Sequence, residues 1–207
     1  MNKLSLLSSI AASVLTFSAS ASSVLPSFME RTEESSLQYQ VSVGYSAGGE
    51  KIGPAISDAY GQSQVSAGSG LMLGAGFSYN LPTSYPMFLA ANLHVIADHA
   101  SSNESEVTFT RIPMDFMLGS QYRKFRFAGG LTHHMNPTLE YKWDNDDSFD
   151  KEESTSKSYG AATGQVAEIS YNIERVDLNL RYTNIEYNFA GVKVDGSGMA
   201  VSIMLRF

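Results

Sequence analysis

Apolar and polar residues alternate with period two along most of the chain, and helical spacing is not sustained anywhere after the first twenty residues. Leu37, Tyr39, Val41, Val43 and Tyr45 alternate with Gln38, Gln40, Ser42, Gly44 and Ser46. Successive side chains of a strand point to opposite faces, so this stretch predicts a strand with one apolar face. The same reading predicts strands over 71–80, 87–97, 106–121, 125–134, 158–171, 176–185 and 198–207. Polar or proline-bearing connections separate them. The stretches 48–70, 98–105, 135–157 and 187–197 are long, whereas 81–86, 123–124 and 172–175 are short. Pro113 interrupts the fourth strand and predicts a bulge there, with a lateral opening beside it if the barrel is a pore.

Eight strands, most of them near the 9–11 residues that cross a bilayer at a tilt, predict an all-β protein. Its architecture is an antiparallel up-and-down transmembrane β-barrel. An even number of strands places both ends of the barrel on the same side, with short turns there and long loops opposite. Outward Tyr39, Tyr45, Tyr79, Tyr171 and Phe207 lie near strand ends, where interfacial aromatic girdles form. A soluble barrel of lipocalin type would carry the opposite sidedness, apolar within and polar without.

The final stretch, GMAVSIMLRF, sets Met199, Val201, Ile203, Leu205 and Phe207 on one face and ends on the aromatic residue. It resembles the signal by which the barrel-assembly machinery of Gram-negative bacteria recognises its clients, with Gly198 followed by alternate apolar positions such as Ile203 and Leu205 to the terminal Phe207. The whole pattern resembles the small eight-stranded outer-membrane barrels of the OmpA, OmpX and OmpW kind. That resemblance implies a monomer in the bacterial outer membrane, in contact with lipid and lipopolysaccharide. Its OmpW side implies a narrow pore for small or hydrophobic solutes as one possible role.

The other end of the chain agrees. Met1-Asn2-Lys3, an apolar stretch from Leu4 to Phe17 and the small-x-small run Ala19-Ser20-Ala21 predict a cleaved signal peptide over 1–21. A periplasmic lead-in over 22–36 and a barrel over 37–207 follow. The apolar stretch is shorter than the roughly 20 residues of a membrane-spanning helix. The chain has no cysteine, which excludes disulfides, thiol catalysis and thiolate metal sites. Its formal net charge of −7 argues against nucleic acid and other polyanions as partners. No cofactor or metal is expected.

Chemistry must come from the inward positions or the loops. Arg111, Arg126, Arg181 and Arg206 face inward with Asp115, Glu168 and Asp177. Buried charges are costly unless paired, so a lumen-filling network of salt bridges is expected, capped by His134. The same charges could instead line a selective path. His133 points outward, one residue from His134. Lipid A deacylase, an eight-stranded outer-membrane esterase, carries an outward His with a Ser two residues on. Here that position is Met135, so no hydroxyl follows the base, and Asn136 and Glu140 do not supply one. The acidic run Asp144, Asp146, Asp150 lacks the glycine and the final Glu of a calcium loop. A non-enzymatic envelope or surface-interaction role, carried by the loops 48–70 and 135–157, is therefore expected. A deacylase-type enzyme is the more distant alternative.

Overall fold

The computed structural model describes residues 37–53, 56–58, 61–82, 86–102, 105–143, 153–189 and 191–207. The expected signal peptide, the lead-in 22–36 and the acidic run 144–152 lie outside the described residues. Among the described residues thirteen strands follow one another: β1 (Leu37–Gly48), β2 (Ile56–Asp58), β3 (Gly61–Ser63), β4 (Gly70–Asn80), β5 (Met87–Ser101), β6 (Ser105–Tyr122), β7 (Phe125–Trp143), β8 (Glu153–Ser158), β9 (Ala162–Ile173), β10 (Val176–Asn184), β11 (Glu186–Phe189), β12 (Val192–Asp195) and β13 (Gly198–Arg206). Eight of them close an antiparallel barrel in the order β1-β4-β5-β6-β7-β9-β10-β13, with β13 returning to β1. Phe207 N–H donates to the Tyr39 carbonyl at 2.9 Å, and Tyr39 N–H donates back at 3.2 Å. Closure removes the open edges that a sheet cannot leave in lipid.

The pairing also sets the tilt. From Val41, the register runs through Ala75, Leu93, Met114 and His133 to Thr163 on β9. In the other direction it runs through Leu205 and Val176 to Ile173, ten residues further along the same strand. This stagger tilts the strands by roughly 40° to the barrel axis.

Around the lower barrel the sidedness is that expected of a membrane span. Val43, Phe77, Leu89, Leu93, Phe116, Leu131, Leu180 and Val201 are all exposed. Gln40, Ser78, Asn92, Asp115, Arg181 and Ser202 are buried inside. An apolar belt this continuous would be a liability in water and is the lipid contact here. Leu180, midway along β10, is 42% exposed in this belt. Leu180→Arg should lower stability by about 2–4 kcal/mol, the cost of a cation near the bilayer midplane. Urea titration of the barrel folded in phospholipid vesicles reads this directly, and a variant as stable as the parent would mean that Leu180 is not in hydrocarbon.

Above the belt the sidedness reverses, and here the expected loops are corrected. The segment 135–157 is not one loop. β7 continues to Trp143, and β8 pairs with it from Trp143↔Glu153 to Thr138↔Ser158. β5 runs to Ser101, through much of the expected loop 98–105. The stretch 187–197 forms most of the hairpin β11–β12, and 48–70 contains the short hairpin β2–β3 and a Lys51↔Ser66 bridge. Ile52, Val65, Phe109, Leu139, Tyr159 and Tyr187 are buried together in this region. The ring of Phe109 meets Tyr159 edge-on at 5.7 Å and Tyr187 at 6.0 Å. Outside the membrane water bathes the outer surface, so the apolar side chains turn inward and form a core of soluble type.

The bulge lies elsewhere than expected. Thr110 pairs with Thr138 and Ile112 with Met135, so the surplus residue is on β7, not at Pro113. Asn136 there takes φ 45°, a left-handed conformation that asparagine tolerates better than most residues. The bulge shifts the inward set from Thr132 and His134 to Pro137, Leu139 and Tyr141. Pro113 itself is buried, and the β5–β6 register is the same on both sides of it, at Leu93↔Met114 and Ile96↔Arg111.

Candidate functional site

The inward charges separate into two clusters at different heights. In the first, Arg181 on β10 grips Asp115 on β6 with both terminal nitrogens; Nη2 donates to Oδ1 at 2.8 Å and Nη1 donates to Oδ2. This bidentate fork is the strongest common ion-pair geometry. His94 on β5 closes the group. Its Nε2 lies 3.1 Å from Asp115 Oδ2 and 3.2 Å from Arg181 Nη1. Asp115 is fully buried and Arg181 nearly so. The three residues come from strands that do not neighbour one another in every pair, so the cluster ties opposite walls of the barrel together.

The second cluster sits toward the short turns. Asp177 Oδ1 accepts from Arg206 Nη2 at 2.9 Å and from Asn172 Nδ2 at 2.8 Å. Arg126 Nη1 approaches its other oxygen at 3.8 Å, while the Arg126 guanidinium lies 3.9 Å from the centre of the Phe88 ring. A cation over an aromatic face gains most where water is excluded. Gln40 Nε2 donates to Asn92 Oδ1 at 2.5 Å, over Gly76 of the intervening strand β4.

The expected single network therefore needs amending. Arg111 hydrogen-bonds the Ser69 carbonyl at 2.9 Å and faces the Phe109 ring, without a carboxylate contact among the described residues. Glu168 accepts from the Ser170 hydroxyl at 3.3 Å, and no ion pair forms on it among the described residues. His134 Nδ1 meets the Tyr187 hydroxyl at 2.6 Å, so it joins the polar interior to the extracellular apolar core rather than to a carboxylate. Sequence reasoning had passed over His94 and Tyr187. His94 stood at an inward position of the third strand, and that was the available signal. Tyr187 stood in a presumed loop, with no signal at all.

Little space is left. Two cavities inside the barrel measure about 10 Å³ each, one beside Arg111, His134 and Arg181 and the other beside Gln40, Arg126 and Glu168. Each has room for about one water molecule.

On the outer wall, His133 Nδ1 lies 2.9 Å from Thr163 Oγ1 on β9. A hydroxyl does therefore stand beside the outward histidine, supplied by the neighbouring strand. Among the described residues no carboxylate reaches the imidazole, the position that an orienting third member of a nucleophilic triad would take. Of the residues expected to form an assembly signal, Ile203, Leu205 and Phe207 are exposed on the outer wall, while Gly198 sits at the opposite end of β13 against Gly48 and Thr183.

A closed eight-stranded antiparallel barrel, apolar outside and packed with charge inside, is an integral outer-membrane β-barrel. The chain has the fold of the small eight-stranded outer-membrane barrels. Ail, the attachment invasion locus protein of Yersinia pestis, solved with a heparin analogue, superposes with a TM-score of 0.52 at 13% identity, over 83% of this chain and 99% of that one. Neisserial surface protein A gives 0.44 at 12% identity, over 83% and 96%. The N-terminal barrel domain of Pseudomonas aeruginosa OprF gives 0.37 at 11% identity, over 83% and 98%. No family model matches the chain, and no curated protein matches it by sequence.

Proposed function

We propose that this protein is a non-enzymatic, monomeric outer-membrane barrel whose work is done at its extracellular rim, in envelope structure or in contact with another surface. The observation that carries the reading is the double filling of the lumen, by the Asp115–Arg181–His94 cluster below and the Phe109–Tyr159–Tyr187 core above. A barrel of eight strands has little room to spare, and both layers occupy what there is. The strands meanwhile extend well past the apolar belt on β5 to β8, giving a folded extracellular surface rather than bare loops.

The partner of that surface is argued from charge. Ail was solved with a sulfated heparin analogue, whereas a chain of net charge −7 repels polyanions, so a neutral or basic partner suits it better. Lipopolysaccharide is the lipid neighbour in this reading, and β13, from Gly198 through Ile203 and Leu205 to Phe207, is the segment read by the barrel-assembly machinery.

Conductance in a planar bilayer tests the reading. The purified barrel, first shown to migrate differently on SDS gels before and after boiling, should be silent. Discrete openings that Arg181→Ala alters would establish the narrow-pore alternative instead.

A further inference from the structure

The apolar belt has a dent. On the outer wall, Gly129 on β7, Ala167 on β9 and Tyr182 on β10 stand in one row of the register. A side chain built on Gly129 would meet nothing nearer than the Val166 carbonyl oxygen at 3.8 Å. The next row toward the extracellular side is Leu131, Gln165 and Asn184. Beside these rows lies a groove of about 370 Å³, lined by Gly130 and Ala167, walled by Leu131 and Tyr182, and headed by the two amides; Gly129 borders it through Val166. The belt elsewhere presents mostly large aliphatic and aromatic side chains, with Ala75 and Ala91 as other small outward positions.

We propose that this groove seats an acyl chain of the glycolipid of the outer leaflet, with the linkage at the head of that chain hydrogen-bonded to Gln165 and Asn184. Three observations select this occupant. The groove opens on the lipid-facing wall, so what fills it is hydrocarbon. Its polar end points toward the extracellular extension, just below the His133–Thr163 pair, which places the head of the chain in the outer leaflet. The head is neutral: it carries amides that both donate and accept, and no cation lines it. That suits the amide and hydroxyl groups of hydroxyacyl chains on a glycolipid better than a phosphate. Asn184 Oδ1 already accepts from the Ser197 hydroxyl at 3.3 Å, which leaves Nδ2 as its remaining donor.

Lipid tails gain nothing from water exclusion by leaving other tails, so affinity at such a site comes from close packing and from hydrogen bonds made at membrane depth. Filling the dent should therefore abolish it. The test is native mass spectrometry of the full barrel released from outer membranes in mild detergent. The parent should retain a glycolipid adduct. Ala167→Phe, which fills the floor, and Gly129→Leu, which adds a side chain at its border from a second strand, should each lower the retained adduct about tenfold, the size of losing roughly one such hydrogen bond with its packing. Leu178→Ala, on the same belt but away from the groove, should leave it unchanged. Migration before and after boiling confirms that each variant is folded. A parent that retains phospholipid instead, retains no lipid, or loses its glycolipid equally in the Leu178 variant overturns the proposal.

Discussion

Asp115→Ala should cost the barrel about 3–5 kcal/mol, because it leaves the Arg181 guanidinium buried and unpaired. Asp115 is fully buried and accepts both Arg181 nitrogens while contacting His94. The cavity beside Arg181 measures about 10 Å³, room for about one water molecule to solvate the stranded cation. Removing both charges is a different experiment. Asp115→Leu with Arg181→Met replaces the ion pair by apolar groups of similar size and should recover much of the loss, since a buried pair is often worth little more than a well-packed apolar substitute. A double-mutant cycle by urea unfolding in vesicles reads the coupling between them. Single variants within about 0.5 kcal/mol of the parent would mean that the cluster is hydrated and the lumen wetter than its packing implies.

The second large effect is expected at the other end of the lumen. Phe109→Ala should cost about 3–5 kcal/mol of the stability of the extracellular extension, the range for removing a fully buried ring. The Phe109 ring has no exposed surface and touches both Tyr159 and Tyr187 edge-on. It is thus the contact that joins β6 to the segment after β8 and to the β11–β12 hairpin. The loss should be local. Amide exchange on Thr138–Lys142 and Ser154–Ser158 should accelerate, while the strands of the belt keep their protection. Phe109→Leu should show a smaller change in the same amides. Uniform acceleration over the whole barrel would mean that the extracellular core and the membrane span unfold as one unit. No acceleration anywhere would mean that the ring does not hold the extension together.

How much of this was legible in the residues can be judged strand by strand. The alternation of Leu178 and Leu180 with Asp177, Asn179 and Arg181 announced β10 and its sidedness, and the pairing confirms both. The same holds for β1, β4 and β13. Period two is a local property, and lipid on one side with a polar interior on the other makes it unambiguous. The upper halves of β6 and β7 were a different case. Val107, Phe109, Leu139 and Tyr141 alternate just as well, yet their apolar face is the inner one. The charge of 135–157 reads as a loop, whereas Pro137 sits with Asn136 in the bulge of a continuing strand.

The charges divide in the same way. That Arg111, Arg126, Arg181 and Arg206 face inward could be read from position alone. That Arg181 takes Asp115 while Arg126 and Arg206 share Asp177 could not, because these partners lie on different strands and meet only once the stagger of the barrel is set. The groove beside Gly129 and Ala167 is of this second kind too. Two small residues on separate strands become one dent only through register.

The sequence by itself determined the membrane-spanning parts of the eight barrel strands, the closed outer-membrane barrel and which side chains face inward across the membrane, because each of these depends on spacing within one strand and on one change of solvent. The tertiary structure alone decided where that sidedness reverses, which charges pair and where the wall is thin. Those depend on the bulge at Asn136, on the ten-residue stagger between strands and on water replacing lipid above the belt, and none of the three is written in any single segment.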